Sequence, residues 1–156
     1  MIRGIHHAAL CARDLDRMVA FYRDVIGFTV VSEYAWDKVD LIDELIGLKS
    51  SVAKTVMLKA GNAYLEIFEY AAPKARNTDP LRPCDRGYTH IALDVVDIRS
   101  EHDRLVKAGM QFCREPAELG DIRAVYGKDP EGNIVEIQEV TNPQHAFATE
   151  RLRNYR

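Results

Sequence analysis

Apolar and polar positions follow two rhythms along this chain, and the pair of rhythms occurs twice. Residues 5–12 are short and nearly all apolar, which predicts a buried strand. Asp14 then stands as an N-cap before Leu15, Met18, Val19, Tyr22, Val25 and Ile26. Their three- and four-residue spacing predicts an amphipathic helix that Gly27 ends. Residues 28–34 are β-branched and aromatic and predict a strand. Within 36–48, Val39, Ile42, Leu45 and Ile46 predict one face of a short helix. Strands are expected at 54–59 and 63–69, joined by the turn pair Gly61-Asn62.

The order then recurs. Residues 88–95 predict a strand, Asp97 a cap, and 98–107 a helix that Gly109 ends. Strands are expected at 111–113, 124–127 and 133–140, with a tight turn at Asp129-Pro130-Glu131-Gly132. Between the halves, residues 72–86 hold three prolines and mixed charges and read as a linker. The expected organisation is a first module at 1–71, this linker, a second module at 87–141 and a polar tail at 142–156. The tail is either a helix packed on a neighbour or partly disordered.

Superposing the halves makes the repeat explicit. His7-Ala8-Ala9-Leu10 falls on His90-Ile91-Ala92-Leu93, 83 positions later, and Asp14-Leu15 falls on Asp97-Ile98 at the same offset. Gly61-Asn62-Ala63-Tyr64-Leu65-Glu66-Ile67 matches Gly132-Asn133-Ile134-Val135-Glu136-Ile137 with one residue dropped. Each half reads β-α-β-β-β, with a His at the head of its first strand and a Glu within its last. Strand alternation puts Leu65 and Ile67 on one face and Glu66 on the other, and likewise Val135 and Ile137 against Glu136. A carboxylate in that position is costly to cover unless a cation compensates it.

Two modules packed about a pseudo-two-fold axis would bring His7, Glu66, His90 and Glu136 around one divalent ion. Imidazoles and carboxylates suit Ni, Co, Zn, Mn or Fe. A lone strand His or Glu is ordinarily a core or surface residue, and the matched recurrence is what singles out these four. Alternation sets His6 on the face opposite His7, and the alignment selects His7, since only that register also pairs Ala9 with Ala92 and Leu10 with Leu93.

Composition narrows the class. Apolar residues make up 47% of the 156, enough for an interior. A net charge of −3, mixed in sign, gives no basic face for nucleic acid. No apolar run reaches membrane-spanning length, and the N-terminus shows no charged-then-apolar leader, so a cytoplasmic protein is expected. Three widely spaced cysteines fit free thiols in a reducing compartment, with Cys11 and Cys113 expected as buried small hydrophobes.

The motifs Ile5-His6-His7, Phe21-Tyr22, Ile26-Gly27-Phe28, Gly87-Tyr88-Thr89-His90-Ile91-Ala92-Leu93 and Asp129-Pro130-Glu131-Gly132-Asn133-Ile134-Val135-Glu136-Ile137 resemble the vicinal-oxygen-chelate superfamily. That group includes glyoxalase I, methylmalonyl-CoA epimerase, extradiol dioxygenases and fosfomycin- and bleomycin-resistance proteins. The resemblance implies an α+β fold: two β-α-β-β-β modules forming a curled, cup-shaped mixed sheet around a metal site. It also implies a small-molecule substrate with chelating oxygens and a homodimer.

The order His, Glu, His, Glu looks like bacterial glyoxalase I and is close to the epimerases. This implies a metal-dependent lyase or isomerase that abstracts a proton beside a metal-bound carbonyl, through an enolate or enediolate, with Glu66 and Glu136 as acid-base residues. The alternative is an Fe(II) ring-cleaving dioxygenase, which would use only His7, His90 and Glu136. The third reading is a non-catalytic binding or resistance protein. Cys11 stands where bacterial glyoxalase I carries a glutathione-binding Arg, which argues against a glutathione hemithioacetal. Tyr64, Phe68, Tyr126 and Gln138 are the candidate pocket residues, with ordinary packing as the alternative for the aromatics. Residues 36–48 are either a lid or a helix packed outside. Lys74, Arg76, Arg82 and Arg86 make the linker basic, more simply a solvated loop than an anion site.

Overall fold

Local alternation builds a four-stranded and a five-stranded sheet of related design in the computed structural model, which describes residues 1–76 and 79–149. Part of the tail expected at 142–156, namely 150–156, lies outside the described residues. The chain divides into two compact units, Met1–Asp79 and Pro80–Arg156. No helix among the described residues is long and apolar enough to cross a membrane.

The first unit runs β1 (His7–Cys11), α1 (Leu15–Ala20), β2 (Thr29–Asp37), α2 (Asp40–Ile46), β3 (Val52–Ala60) and β4 (Ala63–Ala72). Its sheet has the order β1-β4-β3-β2, with β1 parallel to β4 and the other pairs antiparallel. The second unit runs β5 (His90–Asp94), α3 (Ile98–Lys107), β6 (Gln111–Phe112), β7 (Ala117–Leu119), β8 (Ile122–Lys128) and β9 (Ile134–Val140). Here the order is β5-β9-β8-β6, β5 is parallel to β9, and β7 pairs with β8. These are two β-α-β-β-β modules in an α+β fold. The parallel pairing of each unit's first and last strands brings the two repeat motifs side by side.

One face of each sheet carries the core. In the first unit α1 packs on β3 and β4, burying Leu15, Met18, Tyr22, Leu58, Leu65 and Ile67. A π-helical turn, Phe21–Ile26, extends α1 until Gly27 closes it at φ +96°. In the second unit α3 lies on β9 over Ile98, Leu105, Val135 and Ile137.

The helices are tied to the sheets by matched carboxylates. The Leu15 N–H donates to Glu69 at 2.8 Å. The Asp97 and Ile98 N–H groups donate to Glu139 at 3.1 and 3.4 Å. Each Glu lies three residues after the Glu of the repeat and projects to the helix side. There it meets the exposed donors and the positive end of the helix. Each also has a cation from its cross-strand neighbour, Lys54 at 3.5 Å and Arg123 at 3.3 Å.

Two expectations are corrected. Helix α2 does form, but the expected face is not its buried one: Val39 is 38%, Leu45 83% and Ile46 39% exposed and Ile42 is half-buried, whereas Asp43 is 8%. Polar bonding fixes the orientation. The Ser51 N–H and hydroxyl both donate to Asp43, and the Ser51 hydroxyl accepts from Trp36 Nε1 at 2.7 Å. Turning the helix to bury Leu45 would strand this network. The second correction concerns Cys11 and Cys113, which are exposed rather than buried. Cys11 ends β1 and Cys113 directly follows β6, both edge strands with a neighbouring strand on one side only.

The Ser51 bonds hold the Asp43 carboxyl below its ordinary range. A carboxylate depressed in the folded state contributes stability that is full above its unfolded value, about 3.9. That contribution is lost as pH falls through the lower folded value. Asp43→Asn is therefore expected to give a shallower loss of stability below about pH 4 than the wild-type chain. Urea unfolding midpoints at pH 7 and pH 3.5 measure the difference.

Candidate metal centre

Register places the first His–Glu pair. His7 opens β1 opposite Tyr64 of β4, so Glu66 is its diagonal neighbour on the same face. His7 Nε2 lies 3.5 Å from Glu66 Oε2. In the second unit His90 opens β5 opposite Ile134, and its Nε2 lies 3.3 Å from Glu136 Oε2. The two pairs are built alike. In each the carboxylate is the more covered member, with side chains 17% and 14% exposed against 40% and 31% for the imidazoles.

Chemistry at the second pair follows from that cover. Burial pushes the Glu136 carboxyl above its ordinary value, and His90 beside it pulls only partly back. In the first unit the Thr55 hydroxyl donates to Glu66 Oε1 at 3.2 Å. Nothing in the local sequence singles out Thr55. It enters through the pairing of β3 with β4, a long-range fact.

The remaining pocket candidates divide between the units. Tyr64 precedes Glu66 by two residues and carries the stacked His6 ring, centroids 5.0 Å apart. His6 therefore does not turn to the opposite face; its ring also meets that of His7 edge-on at 5.2 Å. Phe68 follows Glu66 on the same face and joins an aromatic group with Trp36 and Tyr70, at 6.2 and 5.8 Å. Trp36 and Tyr70 have no distinguishing local motif; the sheet assembles them. Tyr126 lies directly across from Glu136 and packs its ring 5.0 Å from that of His90. Gln138 pairs with Ala124 on the same strand face as Glu136.

Each pair presents the right atoms for a divalent ion: an imidazole nitrogen and a carboxylate oxygen 3.5 or 3.3 Å apart, both partly exposed. The ion-pair partner of each carboxylate within its unit is a histidine and not a lysine or arginine. Neutral imidazole and carboxylate are donors that intermediate and hard divalent ions accept. Among the described residues no group of three or more His, Cys, Asp and Glu side chains able to hold a metal is gathered, and one pair alone is an incomplete centre.

A groove in the first unit lies elsewhere. It encloses about 600 Å³ and is lined by Leu15, Asp16, Val19, Arg23, Glu33 and Lys54, among others. None of the four candidate ligands contributes to it. At the end of β1, Cys11 sits opposite Phe68. Partial burial pushes its thiol up, which disfavours the reactive thiolate.

Comparison with known proteins accords with the duplicated architecture. A 2-epi-5-epi-valiolone epimerase from Actinomyces sp. is 33% identical over 145 residues, covering 86% of this chain and 78% of that one. The glyoxalase family protein of Bacillus cereus has a crystal structure that superposes with a TM-score of 0.80 at 18% identity, over 91% of this chain and 97% of the other. The lactoylglutathione lyase of Agrobacterium tumefaciens matches with a TM-score of 0.58 at 25% identity, over 88% and 94%. The model of the Glyoxalase/Bleomycin resistance protein/Dioxygenase superfamily matches residues 4–137, a span that includes His7, Glu66, His90 and Glu136. With both repeats inside that match, the chain belongs to this family, the vicinal-oxygen-chelate superfamily.

Proposed function

We propose that His7, Glu66, His90 and Glu136 together hold one divalent metal ion and that the protein is a metal-dependent lyase or isomerase. Ni, Co, Zn, Mn or Fe all suit this donor set. The observation that carries the reading is the recurrence of one His–Glu geometry, at 3.5 and 3.3 Å, in both halves of a duplicated fold. An isolated pair of this kind is ordinary. Two equivalent pairs, each short of a full set, supply between them the four donors that the reading requires. The names of the relatives point the same way: one is an epimerase and one a lyase.

When bound, such an ion acts as a Lewis acid that acidifies the C–H beside a substrate carbonyl. The chain's own residues do the rest. His7 and His90 hold position. A carboxylate of Glu66 or Glu136 takes the proton from carbon; returning it to the neighbouring carbon gives isomerisation, and returning a proton to the opposite face of the same carbon gives epimerisation. Tyr64 and Phe68 beside Glu66, and Tyr126 and Gln138 beside Glu136, wall the substrate. The substrate class is a small carbonyl compound with adjacent oxygens. The same reading extends to a cytoplasmic homodimer, the usual setting for the family.

Purified protein is expected to hold about one divalent ion per chain by elemental analysis, and chelation should abolish turnover. Reaction in deuterium oxide should place deuterium on the carbon beside the carbonyl, with no oxygen consumed. Oxygen uptake with ring cleavage would identify a dioxygenase instead. Retention of a small molecule without any metal would identify a binding protein.

A further inference from the structure

The residue before each candidate ligand histidine makes the same contact in both halves. His6 Nδ1 lies 2.9 Å from His7 Nδ1. Thr89 Oγ1 lies 3.0 Å from His90 Nδ1. His6 and Thr89 are 83 positions apart, as are His7 and His90, so they occupy equivalent places in the repeat. The residue types differ but the target atom is the same. In both halves the ring nitrogen facing the carboxylate is Nε2, and the nitrogen tied back is Nδ1.

We propose that His6 and Thr89 are positioning residues for the metal centre, each holding the Nδ1 of the next histidine so that Nε2 is presented to the ion. The inference rests on the metal reading above and assigns work to two residues outside the ligand set. A neutral imidazole that coordinates through Nε2 carries its proton on Nδ1. That proton needs an acceptor, and the Thr89 hydroxyl and the bare Nδ1 of His6 supply one each. The tether also limits rotation about the side-chain bonds, so less freedom is lost when the ion binds.

The buttressing continues outward, by different means in the two units. His6 stacks on Tyr64, and the Tyr64 N–H donates to the His6 carbonyl at 3.0 Å. Thr89 is too small to stack. There the ring of Tyr126 packs directly against His90 instead. A large residue one step back in one half and an aromatic across the sheet in the other thus brace equivalent imidazoles.

The test uses the full-length protein stripped of metal, titrated with Zn or Co in competition with a chromophoric chelator. His6→Ala and Thr89→Val are expected to bind about 10- to 100-fold more weakly than wild type. His6→Asn and Thr89→Ser keep a side-chain acceptor and should bind within a few fold of wild type. Thermal unfolding of the metal-free variants should be unchanged, because His6 is exposed and Thr89 only half-buried. Equal metal affinity in wild type, His6→Ala and Thr89→Val would overturn the inference and leave the metal reading intact. Weaker binding accompanied by an equal drop in metal-free unfolding temperature would show a merely structural role. A wild-type chain that binds neither metal would remove the metal reading and this inference together.

Discussion

Glu136→Ala is expected to weaken divalent-metal binding by about 100-fold or more while leaving the metal-free fold intact. Loss of a residue that only orients a ligand already costs 10- to 100-fold, and loss of a ligand should meet or exceed the upper end. The fold should survive because this carboxylate is a burden without an ion. Its side chain is only 14% exposed, its ion-pair partner is a half-exposed imidazole, and burial has already pushed its carboxyl up. Removing a poorly compensated buried acid is neutral or mildly stabilising. Metal-free Glu136→Ala should therefore unfold at or slightly above the wild-type temperature. A clear drop would mean that Glu136 supports the sheet and is not held for an ion. Glu66→Ala should behave likewise, with the Thr55 hydroxyl left to find water.

The adjacent residues should show the reverse pattern. Ile67→Ala and Ile137→Ala are expected to cost about 2–5 kcal/mol each and to leave metal affinity within a few fold. Both isoleucines are 0% exposed and lie on the helix face of their strands. Truncation opens a cavity that close-packed neighbours fill only in part. For a chain of this size the expected lowering of Tm is roughly 5–15 °C. Calorimetry and the chelator competition, run on the four variants, give a two-by-two outcome. Substitutions at 66 and 136 move binding and those at 67 and 137 move stability. If the isoleucine variants lost metal as severely as the glutamate variants, the two faces would not be separate in function.

Much of this was legible from the amino-acid order. Period-two alternation located the strands, α3 runs over 98–107 as its spacing predicts, and the internal repeat gave the module design. What escaped depends on partners distant in sequence. Strand β7 is three residues long and has no rhythm of its own; it exists because β8 offers a free edge. The orientation of α2 follows from Asp43 reaching Ser51, eight positions on, and outweighs an aliphatic pattern that pointed the other way. Cys11 and Cys113 are exposed; an apolar run shows that a strand forms, not that it is covered. Of the site, the four ligand candidates stand out only through the repeat. Thr55, Trp36 and Tyr70 depend on strand register and carry no signal of their own.

The two carboxylates of each last strand, at 66 and 69 and at 136 and 139, sit an odd number of residues apart and so serve opposite sides of the sheet. One extra residue between them would change the parity and swing the later acid round. The helix would lose its anchoring acceptor, and the pocket side would gain a second, unmatched negative charge. These short intervals are accordingly where the chain tolerates no change of length, whereas the segment around α2 can grow or shrink without disturbing that division of labour.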